Sequence, residues 1–231
     1  MSNFKKQLEN SVSREWQHIK NGTFWKKIIS EPVDPRLYQL MMEQIYHYTR
    51  HNSVNQAAAA YSTAPENRRL LRFVYKHALE ELGHEQMVVH DLKSINLYNE
   101  GFENHRPLPA TQALISYLYK VALDKGAVAR LGYSYWAENC YGHIDLLLRK
   151  FSNDLNLTEN NMSFFVAHSE IDSKHSDEVN EAISFSELTK DEEEEIINTA
   201  VTTLYLTGQI LEQVAHEYSL TSAKHKEPII I

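Results

Sequence analysis

Apolar residues recur along this chain at intervals of three and four, the period of an α-helix, and no segment sustains the alternation of a strand bounded by turn signals. The period predicts helices over about 3–20, 23–30, 35–61, 65–97, 110–152, 158–183 and 188–219. The fourth long region, 110–152, is expected in two pieces that meet near Lys125–Gly126. Prolines fall between these segments: Pro32 and Pro35 bracket a break, Pro65 opens a helix, and Pro107 and Pro109 end a loop rich in Asn, Glu and Gly. Thr158 before Glu159, and Thr189 before an acidic first turn, read as N-caps. The expectation is an all-α bundle of about seven helices, a single domain over residues 1–231, with no internal repeat and no linker.

Composition narrows the function classes. A chain of 231 residues that is 42% hydrophobic can bury one substantial core. A net charge of -8 argues against a nucleic-acid surface, which needs clustered Lys and Arg. No apolar run approaches the ~20 residues of a membrane span, so no membrane partner is expected. The start, MSNFKKQLENSVSREW, lacks the apolar core of a signal peptide, and the single Cys140 cannot close an internal disulfide. A cytoplasmic location is the expectation. Five glycines fall inside expected helices (Gly83, Gly126, Gly132, Gly142 and Gly208), each costing about 1 kcal/mol against Ala, a cost that close helix approach or room for a ligand would justify.

The candidate chemistry sits in three segments. In HSEIDSKH, His168, Asp172 and His175 stand at i, i+4 and i+7, within roughly a 60° arc of one helix face. Two imidazoles and a carboxylate on one stripe can chelate a metal, and this nitrogen and oxygen mixture suits iron, manganese or zinc. In EELGH, Glu81 and His84 form Glu-x-x-His, the i, i+3 pair of di-iron and di-manganese helix bundles. Glu80 and His84 make an i, i+4 alternative. In YWAE, Glu138 lies in an apolar stretch where a carboxylate needs an ion pair, a hydrogen bond or a metal. Together the segments offer three carboxylates and three histidines on three helices, a count that suits two metals.

With these residues in place, the chain resembles the haem-oxygenase-like dimetal oxidases. That family includes an undecene-forming fatty-acid decarboxylase, self-sacrificing p-aminobenzoate synthases and several N-oxygenases. Glu81-Leu-Gly-His84 resembles the family's first element in its decarboxylase form, Tyr135-Trp-Ala-Glu138 the second, and His168-x3-Asp172-x2-His175 the third, in the same order over about residues 35–220. The resemblance implies a haem-oxygenase-like helical bundle. It implies two Fe(II) per chain, with manganese as an alternative, held by Glu81, His84, Glu138, His168, Asp172 and His175. It further implies Tyr135 as a candidate catalytic tyrosine, and a small organic molecule and dioxygen as partners; a homodimer is compatible with it. Some members space the first Glu and His more widely, and by that pattern Glu80 and His90 replace Glu81 and His84.

The same superfamily contains metal-free thiaminase-II proteins and pyrroloquinoline quinone synthase. By that resemblance Glu212 in QILEQVAHEYSL would match a catalytic Glu, with Cys140 near the region of the thiaminase nucleophile. A metal-free hydrolase and a non-catalytic binding protein therefore stand as alternatives. Haem oxygenase itself fits less well, because its proximal His lies on the first helix, where this chain has only His18.

Overall fold

The computed structural model of the protein describes the backbone of residues 3–224, and their side chains except those of residues 170–173 and 222–224. The described residues form helices and connecting loops, without strands. Helix α1 (Asn3–Lys20) and α2 (Thr23–Ser30) have the bounds that the periodicity predicts. On α1 the residues Phe4, Leu8, Val12, Trp16 and Ile19 are buried, one stripe at intervals of three and four. Helix α3 (Pro35–Thr49) starts on Pro35, with the Asp34 carboxylate accepting the Arg36 N–H at 2.7 Å.

The long helices expected over 35–61 and 65–97 are each broken, so the bundle has more helices than the expected seven or so. The first breaks at Arg50–His51 into α3 and α4 (Asn52–Tyr61); the second becomes α5 (Arg68–Glu80) and α6 (Glu85–Ser94). Pro65 lies in the turn before α5 rather than at its first residue. Helix α7 (Pro109–Ala137) kinks at Gly126, where two pieces were expected to meet, and a further break after Ala137 separates α8 (Tyr141–Leu155).

Thr158 and Asn161 do form a capping box, but on a short 3₁₀ turn at 159–161. Helix α9 (Ser163–Phe185) begins later and is capped from a neighbouring helix. The fully buried Asp91 of α6 accepts the Ser163 N–H at 2.9 Å and hydroxyl at 2.6 Å, and the Phe164 N–H at 3.0 Å. A cap supplied across the bundle leaves no mark in the local sequence. Helix α10 (Lys190–Lys224) starts as predicted, with the Glu192 carboxylate accepting from the Thr189 N–H at 2.8 Å and its hydroxyl at 2.9 Å.

Helix α7 is the centre of the bundle, packed against α10, α4, α3, α5 and α9. Its closest neighbour is α10. A Cβ added at Gly132 would lie 2.1 Å from the Ile196 carbonyl oxygen and 2.8 Å from the Ala200 nitrogen. The missing side chain is what lets the two backbones meet, and Trp136 one turn further on donates its indole N–H to Thr203 at 2.8 Å. This seam fixes the far end of α7, and with it Glu138. Among the described residues no helix is long and apolar enough to cross a membrane.

Candidate metal centre

Glycine explains the break between α5 and α6. Gly83 has φ +93°, a conformation that residues with a Cβ adopt at a cost. The chain therefore turns after Glu81 instead of continuing, and Glu81 and His84 face each other across a turn rather than along one helix, with His84 Nδ1 3.5 Å from Glu81 Oε2. The last turn of α5 also carries His77, one turn before Glu81. Its Nε2 lies 3.3 Å from Glu138 Oε1 and 3.3 Å from His175 Nδ1.

Glu138, at the C-terminal end of α7, has its other oxygen 3.2 Å from His175 Nδ1. His84 Nδ1 lies 3.2 Å from His168 Nε2, and His168 Nδ1 donates to its own helix at the Phe164 carbonyl, 2.6 Å away. The donors fall into two overlapping groups, each within 4.8 Å: His77, Glu81, Glu138 and His175 in one, Glu81, His84 and His168 in the other. Glu81 belongs to both.

The structure thus brings together Glu81, His84, Glu138, His168 and His175 from the expected set. The Asp172 side chain lies outside the described residues. Tyr135 is buried away from the cluster, and the carboxylate acting on its hydroxyl is Glu9 of α1. The tyrosine beside the carboxylates is Tyr133, over whose ring the Arg130 guanidinium sits at 5.3 Å. His90 is exposed on α6. Glu80 does approach the cluster, with Oε2 3.4 Å from His175 Nε2 and no hydrogen-bond partner for that buried oxygen.

His77 and Arg130 were not singled out by sequence reasoning. For His77 a signal existed: His77-x3-Glu81-x2-His84 repeats the spacing of His168-x3-Asp172-x2-His175. For Arg130 there was none.

Charge explains why the cluster suits cations. Glu81 is 3% and Glu138 8% exposed, and a buried carboxylate is costly without compensation. Burial works to raise the Glu81 carboxyl, but the His84 hydrogen bond and the charges of His168 and His77 overcome it and hold it low. Glu138 is also held low: burial opposes its ionisation, and His175 and His77 more than offset it. His84 is raised by its bond to Glu81, whereas burial lowers His168. Two ionised carboxylates, four imidazoles and one orphaned carboxylate oxygen form a donor set that fits divalent iron or manganese.

A second layer surrounds the first. Arg130, 3% exposed, donates to Asn55 Oδ1 at 2.6 Å, Gln56 Oε1 at 2.9 Å, Ser134 Oγ at 3.0 Å and Asn52 Oδ1 at 2.6 Å. Asn52 in turn donates to Glu81 Oε2 at 2.8 Å, and Gln56 touches His77 Nδ1. Beside the carboxylates opens a largely apolar cavity of about 160 Å³, lined by Trp16, Trp25, Trp136 and Phe165 among others, with Glu81, Glu138 and His168 on its wall. No Lys or Arg lines it among the described residues.

None of the curated proteins matches this sequence. Among solved structures, a domain of unknown function with a haem oxygenase-like fold from Shewanella denitrificans OS217 is 37% identical over 100% of both chains, with a TM-score of 0.90. A TenA homologue from Pseudomonas syringae pv. tomato is similar at 13% identity, covering 93% of each chain, with a TM-score of 0.74. Haem oxygenase-1 from the cyanobacterium Synechocystis, in complex with haem, is 15% identical over 98% of this chain and 100% of its own, with a TM-score of 0.71. The last two share the fold. The sequence pattern described as iron-containing redox enzyme matches residues 39–208, and the chain, with its haem oxygenase-like fold, belongs to that family.

Proposed function

We propose that this protein is an oxygen-activating non-haem di-iron oxidase or oxygenase acting on a small organic molecule. The observation that carries the reading is the sharing of Glu81 between two donor groups at one end of an apolar cavity. Glu81, Glu138 and His175 would hold one ion, and Glu81, His84 and His168 the other. Bound ferrous ions there would supply the electrons that reduce dioxygen.

The chain's own residues do the rest. The carboxylates offset the positive charge, and the neutral imidazoles donate nitrogen. The tryptophans and Phe165 exclude water and enclose the substrate's apolar body. The volume fits a small ligand, since an apolar cavity of about 150 Å³ in another protein accepts benzene.

Two competing readings lose ground. Cys140 lines this cavity, but Glu212 lies elsewhere, accepting the Phe24 N–H at 3.1 Å at the start of α2. A thiaminase-like pair would need both in one site. His18 on α1 has 66% of its side chain exposed and faces Glu15, which is no pocket for an axial haem ligand.

The test is an anaerobic ferrous titration followed by an oxygen pulse, with absorbance and oxygen uptake recorded. Iron-dependent oxygen uptake with a transient absorbance change is the expected result. No iron binding, or binding with no reaction towards oxygen, would refute the assignment.

A further inference from the structure

His77 sits inside the cluster of candidate ligands, yet its neighbours give it the wrong polarity to be one. A metal-bound histidine offers a lone pair to the ion and donates its other ring N–H to a carboxylate, a carbonyl or water. For His77 the ring nitrogen facing the cluster is Nε2, so Nδ1 would have to be the donor. Its partner at Nδ1 is Gln56, whose Nε2 lies at 2.6 Å and whose Oε1 lies at 3.0 Å.

Arg130 decides which way that amide points. Its guanidinium has only donors, and it places one of them 2.9 Å from the Gln56 oxygen. Turning the amide over would set an NH₂ against a guanidinium N–H in a fully buried place, at the cost of two unsatisfied donors. The Gln56 oxygen therefore stays on Arg130, and its NH₂, at 2.6 Å, lies closer to His77 Nδ1 than the oxygen does at 3.0 Å. A neutral imidazole has one donor and one acceptor nitrogen. Nδ1 accepts from the nearer Gln56 NH₂, so the proton is on Nε2, which lies 3.3 Å from both Glu138 Oε1 and His175 Nδ1. Asn52 follows the same logic: Arg130 holds its oxygen at 2.6 Å, and its NH₂ donates to Glu81 Oε2.

We infer that His77 is not a metal ligand but a positioning residue. Arg130, acting through Gln56, fixes it as an Nε2–H donor beside Glu138 Oε1, so that Glu138 Oε2, next to His175 Nδ1, is the oxygen that would face an ion. One buried cation thus sets the polarity of two amides, and through them orients both cluster carboxylates. The consequence for metal binding rests on the two-metal reading; the tautomer does not.

Long-range ¹H–¹⁵N correlation spectra of the metal-free, ring-labelled protein read the tautomer directly, with the His77 signal assigned by its loss in His77→Gln. The expected pattern has Nε2 protonated and Nδ1 bare. Cobalt(II) titration supplies the second readout. His77→Ala should keep the wild-type number of ions with affinity weakened about 10–100-fold, the usual effect of losing an outer partner. His77→Gln, which restores an N–H donor, should recover most of it, and His175→Gln should lose an ion. Gln56→Glu would accept from Nδ1–H, free Nε2, and change the cobalt visible spectrum by adding a nitrogen ligand. A His77 protonated on Nδ1 in the wild-type protein, or an ion lost in His77→Gln, would overturn the inference. If wild-type protein binds no cobalt, the metal-centre reading fails, and the tautomer still decides whether Arg130 orients His77 as stated.

Discussion

Gly132→Ala tests whether the α7–α10 seam positions the site. The added Cβ would stand 2.1 Å from the Ile196 carbonyl oxygen and 2.8 Å from the Ala200 nitrogen, against the 3.4 Å or more of ordinary contact. Both neighbours are backbone atoms of α10, so no side chain can swing aside. The helices must part by about 1 Å, a gap that forfeits a quarter to a half of each dispersion contact across it. Residues on the α10 side of this seam, Ile196, Ala200 and Leu204, are fully buried, and Thr203 is bonded to Trp136. Overpacking of this kind costs about 3 kcal/mol, and the better helix propensity of Ala returns about 1. The net is a loss of about 2 kcal/mol, or ~4–8 °C in Tm for a chain of this size. Gly142→Ala is the control, because a Cβ there meets nothing within 4 Å; it should leave stability unchanged or raise it by up to about 1 kcal/mol. Urea denaturation of both variants, with metal affinity measured alongside, gives the comparison. Because Glu138 follows Gly132 on α7, the first variant should also bind metal more weakly. A Gly132→Ala protein as stable as wild type would refute the seam as described.

Three further outcomes are expected. Asp91→Ala removes the acceptor of two N–H groups at the start of α9 and should cost about 2 kcal/mol in urea denaturation, with Asp91→Asn intermediate. Burial pushes His47 down to about 4, so the unfolded chain takes up its proton first. The stability it contributes is complete above about 6.5 and is lost as pH falls from there to about 4, by up to ~3 kcal/mol. His47→Gln should flatten that part of the stability profile of the metal-free protein, and an unchanged slope would count against the burial argument. Glu138→Ala should abolish iron-dependent oxygen uptake, whereas Cys140→Ala should leave most of it, since Cys140 lines the cavity without belonging to either donor group; the reverse order would favour the thiaminase-like reading.

What could be read from the sequence was whatever local physics dictates. The stripes of α1 and α2 and the capping box of α10 are written in neighbouring residues, and the structure has them there. The kink at Gly126 was marked by its glycine. The breaks at Arg50–His51 and after Ala137 carry no proline or glycine, and at the first of them the new axis of α4 presents Asn52, Asn55 and Gln56 to Arg130, a long-range cause invisible in a local window. The start of α9 was misplaced because its cap, Asp91, is about 70 residues away in sequence. In the site, helical spacing marks Glu81, His84, His168 and His175, an apolar context marks Glu138, and the family resemblance joins them in one set; the structure brings these five together. Spacing missed His77 because Glu-x-x-His drew attention to one side of Glu81 only. Tyr135 enters through the resemblance of Tyr135-x-x-Glu138, and that spacing does not say which face of α7 the ring occupies; Tyr133 is the ring that lines the cavity.

The central claim is that one carboxylate, Glu81, joins two metal positions. Anaerobic cobalt(II) titration of wild type, His84→Ala and Glu81→Ala, each first shown by circular dichroism to be folded, tests it most directly. The account predicts about two ions per chain in wild type, as for dimetal helix bundles, about one in His84→Ala, and tight binding of neither in Glu81→Ala. A wild-type protein that binds a single ion, or a Glu81→Ala protein that still binds both tightly, would contradict it.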